Sequence, residues 1–277
     1  MSASDLLPRH RRLPVLGGSD SLALAPLPSL ATSRQGAPLS SRGDLSPAAC
    51  ALLGGVRDAL QAPPRTGTAV FALDDLGPGE RAALWDLLGK GEVSIVVQGA
   101  ARYEIEETAL PGVYRVHTQG AGYQADHLEV GPVPAVVVAA AERGTSTELP
   151  IDDPPPPGLM NAQPLLAELR HRMDHRETEA NHVVSLSLLP LNEADAAYLA
   201  RALGAGPVRA ESCGYGTCRV ALTARRGIWA VQYFNVTGSL ILDTLEVGSV
   251  PAALVAAPMD LEDSGRRLGE LLEEGPS

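Results

Sequence analysis

An internal repeat constrains this chain more than any other feature of its sequence. Val70–His117 aligns without a gap over Ser185–Gln232. Leu73/Leu188, Leu76/Leu191, Leu84/Leu199, Leu88/Leu203, Gly89/Gly204, Gly91/Gly206 and Val93/Val208 are identical pairs, and Gly99/Gly214, Thr108/Thr223, Gly112/Gly227 and Val116/Val231 continue the match. After a short insertion in the second copy, Asp126 and His127–Ala135 align with Asp243 and Thr244–Ala252. Self-similarity in this order points to one folding unit present twice, each copy ~75 residues long.

Within a copy, the spacing predicts a helix over Pro78–Leu88 stopped by Gly89, and its match over Glu193–Leu203, capped by Asn192 and stopped by Gly204. Leu73–Leu76 reads as the end of a strand. Val93–Val97, Tyr103–Thr108, Val113–His117 and Leu128–Val130 read as further strands. Val133–Ala141 fits either a helix or an extended segment. The expected fold class is α+β: a tandem duplication of a strand–helix–antiparallel meander unit. Its two pseudo-symmetric halves, each covering the other's apolar face, are joined by a Pro-rich linker and a helix.

Boundaries follow from composition. Residues 1–66 read as a largely loose N-terminal segment with one helix at Pro47–Gln61, and 67–143 as the first repeat. Residues 144–180 hold the stiff linker Gly144–Gly158 and an amphipathic helix Pro164–Glu179, with Leu165, Leu166, Leu169 and Met173 as its apolar stripe. Residues 181–277 form the second repeat.

The formal net charge is -11, which argues against nucleic-acid binding, because that needs a basic face to displace counterions. Three cysteines, Cys50, Cys213 and Cys218, and no convincing secretory signal point to a reducing compartment, the cytoplasm. The chain lacks an uninterrupted apolar run of ~18 residues, so no membrane insertion is expected.

Chemistry is concentrated in the second copy. In Ser212-Cys213-Gly214-Tyr215-Gly216-Thr217-Cys218-Arg219, glycines between two β-prone stretches predict a tight hairpin. Its closure is expected to set Cys213 and Cys218 face to face, in reach of a disulfide or of one shared metal ion. Gln98 and Tyr103 take those places in the first copy, so the unit itself does not demand cysteine. A closed metal site normally takes four ligands, and two thiols supply half of one. Strand alternation in Trp229–Asn235 groups Trp229, Val231 and Tyr233 on one face and Ala230, Gln232 and Phe234 on the other. Tyr233 and Phe234, with Gln232 and Asn235, are candidate interface residues, while Trp229, matched by Tyr114, reads as core. His171 and His175 share a helix face but lack the adjoining glutamate of a zinc helix; phosphate loops and a G-x-S-x-G elbow are missing.

The run Ser212–Arg219 resembles the signature of the HupH/HyaF/HoxQ family of hydrogenase expression/formation proteins. So do Trp229–Asn235, Leu240–Val247 and Ala256–Ser264. The family carries a duplicated unit and is associated with maturation of uptake [NiFe]-hydrogenases. The resemblance implies an accessory protein or chaperone, not an enzyme, acting on the iron–sulfur small subunit with a thioredoxin-like accessory protein before assembly and export. It implies no cofactor. Cys213, Gly214, Tyr215, Gly216, Cys218, Arg219, Gln232, Tyr233, Phe234 and Asn235 are the partner-binding or redox candidates. The alternative is a dithiol oxidoreductase, or a metal or cluster carrier, using Cys213 and Cys218.

Overall fold

The computed structural model describes residues 45–62, 67–175, 180–214 and 216–273. The expected loose segment before residue 45, and Tyr215, lie outside them.

The same succession of elements runs twice along the chain. The first pass is α1 (Pro47–Gln61), β1 (Ala69–Ala72), α2 (Pro78–Leu88), the meander β2 (Val93–Gln98), β3 (Arg102–Glu107), β4 (Val113–Gly120) and β5 (Tyr123–Val130), then α3 (Ala135–Arg143). The second is α4 (Ala162–Asp174), β6 (His182–Ser185), α5 (Glu193–Leu203), β7 (Ala205–Cys213), β8 (Thr217–Thr223), β9 (Ile228–Phe234) and β10 (Leu240–Val247). Where α3 stood there is now a single 3-10 turn, Ala252–Leu254, followed by α6 (Pro258–Glu273).

Local chemistry sets the helix ends. Ser46 accepts from the Ala49 amide and Pro47 opens α1. Asn192 and Asp195 form a reciprocal capping box on α5. Gly89 and Gly204 follow α2 and α5 at φ 59° and 63°, a conformation that glycine alone adopts without strain. Leu73–Leu76, expected to end a strand, instead forms the turn after β1.

The ten strands among the described residues form one antiparallel sheet, in the order β1-β5-β4-β3-β2-β7-β8-β9-β10-β6. The order is palindromic. At its centre Val93 pairs with Ser212, Ile95 with Ala210 and Val97 with Val208. The halves therefore join edge to edge through β2 and β7. The expectation that each covers the other's apolar face is corrected: joining the edges pairs the β2 and β7 amides and carbonyls, which a face-to-face arrangement would leave as open edges.

Cross-strand pairing and alternation sort the side chains. On one face, Val113, Leu128 and Val130 pack under α1, α2 and α6, while Ile228, Ala230, Leu245 and Val247 pack under α4 and α5. On the other, Ile95, Ile105, Tyr114, Val116, Ala210, Val220, Trp229 and Val231 form a central cluster closed by Val137 of α3 and by Leu254. Each fully buried large apolar side chain contributes roughly 1.5–3 kcal/mol.

Packing crosses two of the expected boundaries. Helix α1 packs in the same cluster as α2 and β5, so it belongs to the first half. The proline-rich stretch is no spacer. Leu149 is buried with α4 and α5, and Ile151 and Leu159 pack beside it. Tyr198 Oη accepts from the Asp152 amide, and Asp195 accepts from the amides of Met160, Asn161 and Ala162. Among the described residues no helix is long and apolar enough to cross a membrane.

Candidate functional site

The hairpin of the signature run closes one residue earlier than its glycines suggest. Cys213 pairs with Thr217, and Ser212 with Cys218. A one-residue shift of register moves a side chain to the other face of the sheet. Cys213 and Cys218 therefore project from opposite faces, and neither is in a disulfide. Cys218 packs in the central cluster with Val220 and Trp229, and burial pushes its thiol up to about 11 despite a hydrogen bond with Tyr233. Cys213 is half-buried at the hairpin tip, where its amide donates to the Glu92 carbonyl. The expected dithiol pair is thus corrected. These sulfurs cannot close a disulfide or share one ion within the chain, and a thiol held protonated is a poor nucleophile.

Close approach explains the glycines. A Cβ on Gly216 would lie 2.6 Å from the Phe234 carbonyl, and one on Gly214 would lie 2.9 Å from Glu92 Oε2. The other predicted residues hold the strands together. Phe234 is buried, with the Arg219 guanidinium 4.4 Å above its ring, and Arg219 Nε donates to the buried Glu211. Asn235 Oδ1 accepts from Thr237 and Ser239, which closes the β9–β10 turn. Trp229 is fully buried and Tyr233 half-buried. Trp229 is core, as expected from its match with Tyr114, whereas Phe234, expected as an interface candidate, is buried, because alternation in β9 sends both faces into packed layers.

Register also assembles a polar row that sequence spacing does not reveal. Arg115, Glu106, Ser94, Glu211, Arg219, Gln232 and Asp243 stand side by side on β4, β3, β2, β7, β8, β9 and β10. At its end, Gln232 Nε2 donates to the fully buried Asp243 at 3.3 Å, and burial pushes that carboxyl up to about 6.

A cavity of about 490 Å³ opens beside the hairpin, lined among others by Glu92, Glu107, Thr108, Tyr114, Asp260 and Arg267. Glu107 is only 7% exposed and accepts from the Gly112 amide. Burial, reinforced by the charges of Glu92 and Asp260, pushes its carboxyl up to about 7. Lys90, the only lysine, lies 2.6 Å from Glu106, and Arg267 donates to the Ala109 carbonyl. The runs Ser212–Arg219 and Ala256–Ser264, far apart in sequence, meet here through Glu92 and Asp260. Sequence reasoning singled out none of these acids, since each comes from a different element.

Beyond the hairpin, the same end of the sheet exposes apolar side chains. Val236 in the β9–β10 turn is 86% exposed, Ile241 and Leu242 at the start of β10 are 62% and 37% exposed, and Leu188 is 85% exposed. Leu188 sits in the turn whose Ser187 hydroxyl accepts from the Asp243 amide. The matching positions of the first half differ, although Tyr123 at the start of β5 is 53% exposed. Leu73, matching Leu188, is fully buried, and Gln124 and Ala125 precede Asp126 where Ile241 and Leu242 precede Asp243.

The HupH hydrogenase expression protein C-terminal conserved region matches residues 48–147 and 159–274. The chain belongs to the HupH family of hydrogenase expression/formation proteins. The hydrogenase expression/formation protein HupQ of Azotobacter chroococcum mcd 1 is 41% identical over 271 residues, 93% of each chain. HoxQ of Azotobacter vinelandii is 43% identical over 244 residues, 85% of each. The Hydrogenase-1 operon protein HyaF of Escherichia coli (strain K12) is 33% identical over 236 residues, covering 82% of this chain and 81% of its own. Both HupH-family segments contain a complete meander, and the later one carries the signature hairpin, the apolar rim and Asp260.

Proposed function

We propose that this chain assists the maturation of a [NiFe]-hydrogenase by holding its iron–sulfur small subunit before assembly and export. It does so in the cytoplasm as a binding protein rather than an enzyme, alongside a thioredoxin-like accessory protein. The relatives' names support a place in hydrogenase expression and formation. The observation that carries a binding role is the apolar rim of Leu188, Val236, Ile241 and Leu242. Leu188, Ile241 and Leu242 are exposed there, while the matching positions of the first half carry the buried Leu73 and the non-aliphatic or small Gln124 and Ala125, so the fold does not require them. Exposed apolar groups gathered at one end of a domain mark a protein contact.

The two halves are read as copies of one unit. Two separate matches to one family segment, the repeated element order and the palindromic sheet support that reading. Divergence between the copies then freed the second to carry the contact surface.

The test is capture of the small subunit by the full-length chain. The parent retains it in stoichiometric complex, and Leu188→Asp with Ile241→Asp weakens retention roughly tenfold or more, as loss of central apolar contacts does. Equal retention by the variant, or capture of the large subunit alone, would overturn the proposal.

A further inference from the structure

The cavity beside the hairpin exists because the two halves differ in one helix. In the second half the corresponding space is filled. Ala140 and Ala141 of α3 pack against the central cluster that includes Leu222 and Trp229, and Gly144 lies so close to Pro207 that a Cβ there would sit 3.0 Å from its ring. In the first half the counterpart of α3 is the single turn Ala252–Leu254, after which the chain leaves into α6. The space stays open, and its walls change character. Glu107 stands where the other half has Leu222, and Glu92 where it has Pro207. A position that buries leucine in one half buries a carboxylate in the other, facing a cavity of about 490 Å³.

Charge selects the occupant. Glu92, from the loop before β2, Glu107 of β3 and Asp260 of α6 border the cavity. Lys90 and Arg267 also border it, but Lys90 is engaged by Glu106 and Arg267 by the Ala109 carbonyl. Tyr114, from β4, donates its hydroxyl to the Pro132 carbonyl. The whole chain carries a net charge of -11. A planar guanidinium offers five donors and can bridge two carboxylates, and it desolvates more readily than an ammonium.

We propose that this cavity receives an arginine side chain from a basic segment of a partner protein, held between Glu107 and the rim carboxylates Glu92 and Asp260. A cation there draws the Glu107 proton off, so binding near neutral pH releases protons and tightens as pH rises from about 6 to about 8.

The experiment titrates the full-length chain with acetyl-Gly-Arg-Gly-amide, followed by amide NMR at Gly91 and Gly112, and by calorimetry in two buffers of different ionisation enthalpy. Arginine peptide shifts both amides saturably, in the roughly millimolar range expected of a single side chain. The lysine peptide binds more weakly and the citrulline peptide does not bind. Glu92→Gln and Asp260→Asn, both on exposed side chains and each checked by an unchanged urea midpoint, each weaken binding several-fold, and together roughly tenfold or more. Calorimetry shows net proton release near pH 7. Absence of saturation, equal binding of citrulline, or undiminished binding by the Glu92→Gln/Asp260→Asn double variant would overturn the proposal. These outcomes are independent of which subunit the apolar rim holds.

Discussion

Cys218 stands directly across β8 and β9 from Tyr233, with which its thiol hydrogen bonds, while Cys213 points away from the opposite face of the sheet. This relationship decides how the signature hairpin works. Its sulfurs are not a couple: one belongs to the core and one to the tip.

Alkylation separates them. Cys213, half-buried at the tip, reacts with iodoacetamide in the folded protein. Cys218, buried and raised to about 11, stays protected until the chain unfolds. Mild oxidation yields no link between the two. Mass spectrometry showing a Cys213–Cys218 disulfide in folded protein would contradict the observed register.

Gly216 tests the hairpin's seat against β9. Gly216→Ala places a methyl 2.6 Å from the Phe234 carbonyl, so the strand ends must part. A loss of about 1–3 kcal/mol in urea unfolding is expected, as for other overpacked sites. Gly122→Ala, in the β4–β5 turn, meets no atom within 4 Å; its cost comes from its φ of +85° alone and is smaller.

Asp195 ties the proline-rich segment to the second half. Its Oδ1 accepts from Met160, Asn161 and Ala162, and its Oδ2 from Asn192. These amides hold its pKa below the ordinary carboxylate value despite burial, so its stabilisation is present above that ordinary value and is lost as pH falls through the depressed one. Asp195→Ala orphans several backbone donors and should cost about 3 kcal/mol or more in urea unfolding, with faster proteolysis at residues 150–161.

Asp243 acts in the opposite sense. Burial lifts its carboxyl to about 6, so the native chain holds that proton more tightly than the unfolded chain. Its contribution is complete below the ordinary carboxylate value and is lost as pH rises through about 6. Asp243→Asn cannot ionise. It should be the more stable protein at about pH 8, by about 2 kcal/mol, and lose that advantage at about pH 4. Urea midpoints across this range provide the check.

What the sequence discloses depends on distance along the chain. Helices α1, α2 and α5 have the bounds expected of them, and for α2 and α5 the signals are local: Asn192, Gly89 and Gly204 stand at the helix ends themselves. The apolar stripe Leu165, Leu166 and Leu169 of α4 is buried as its periodicity indicates. The hairpin register was not legible. It is fixed by Val93 against Ser212 on one side and Phe234 against Thr217 on the other, contacts between strands remote in sequence. The cavity was hidden for the same reason, since Glu92, Glu107 and Asp260 meet only when β2, β3 and α6 are in place. Burial of Phe234 escaped notice because alternation says which residues share a face, not which face is covered.

Hydrogen–deuterium exchange of the full-length chain, with and without the hydrogenase small subunit, tests the central claim most directly. Protection should appear at residues 186–188, 213–217 and 235–242, with the matching stretches at 71–73, 98–102 and 120–125 unchanged. Equal protection of both halves, or none at the apolar rim, would contradict the account.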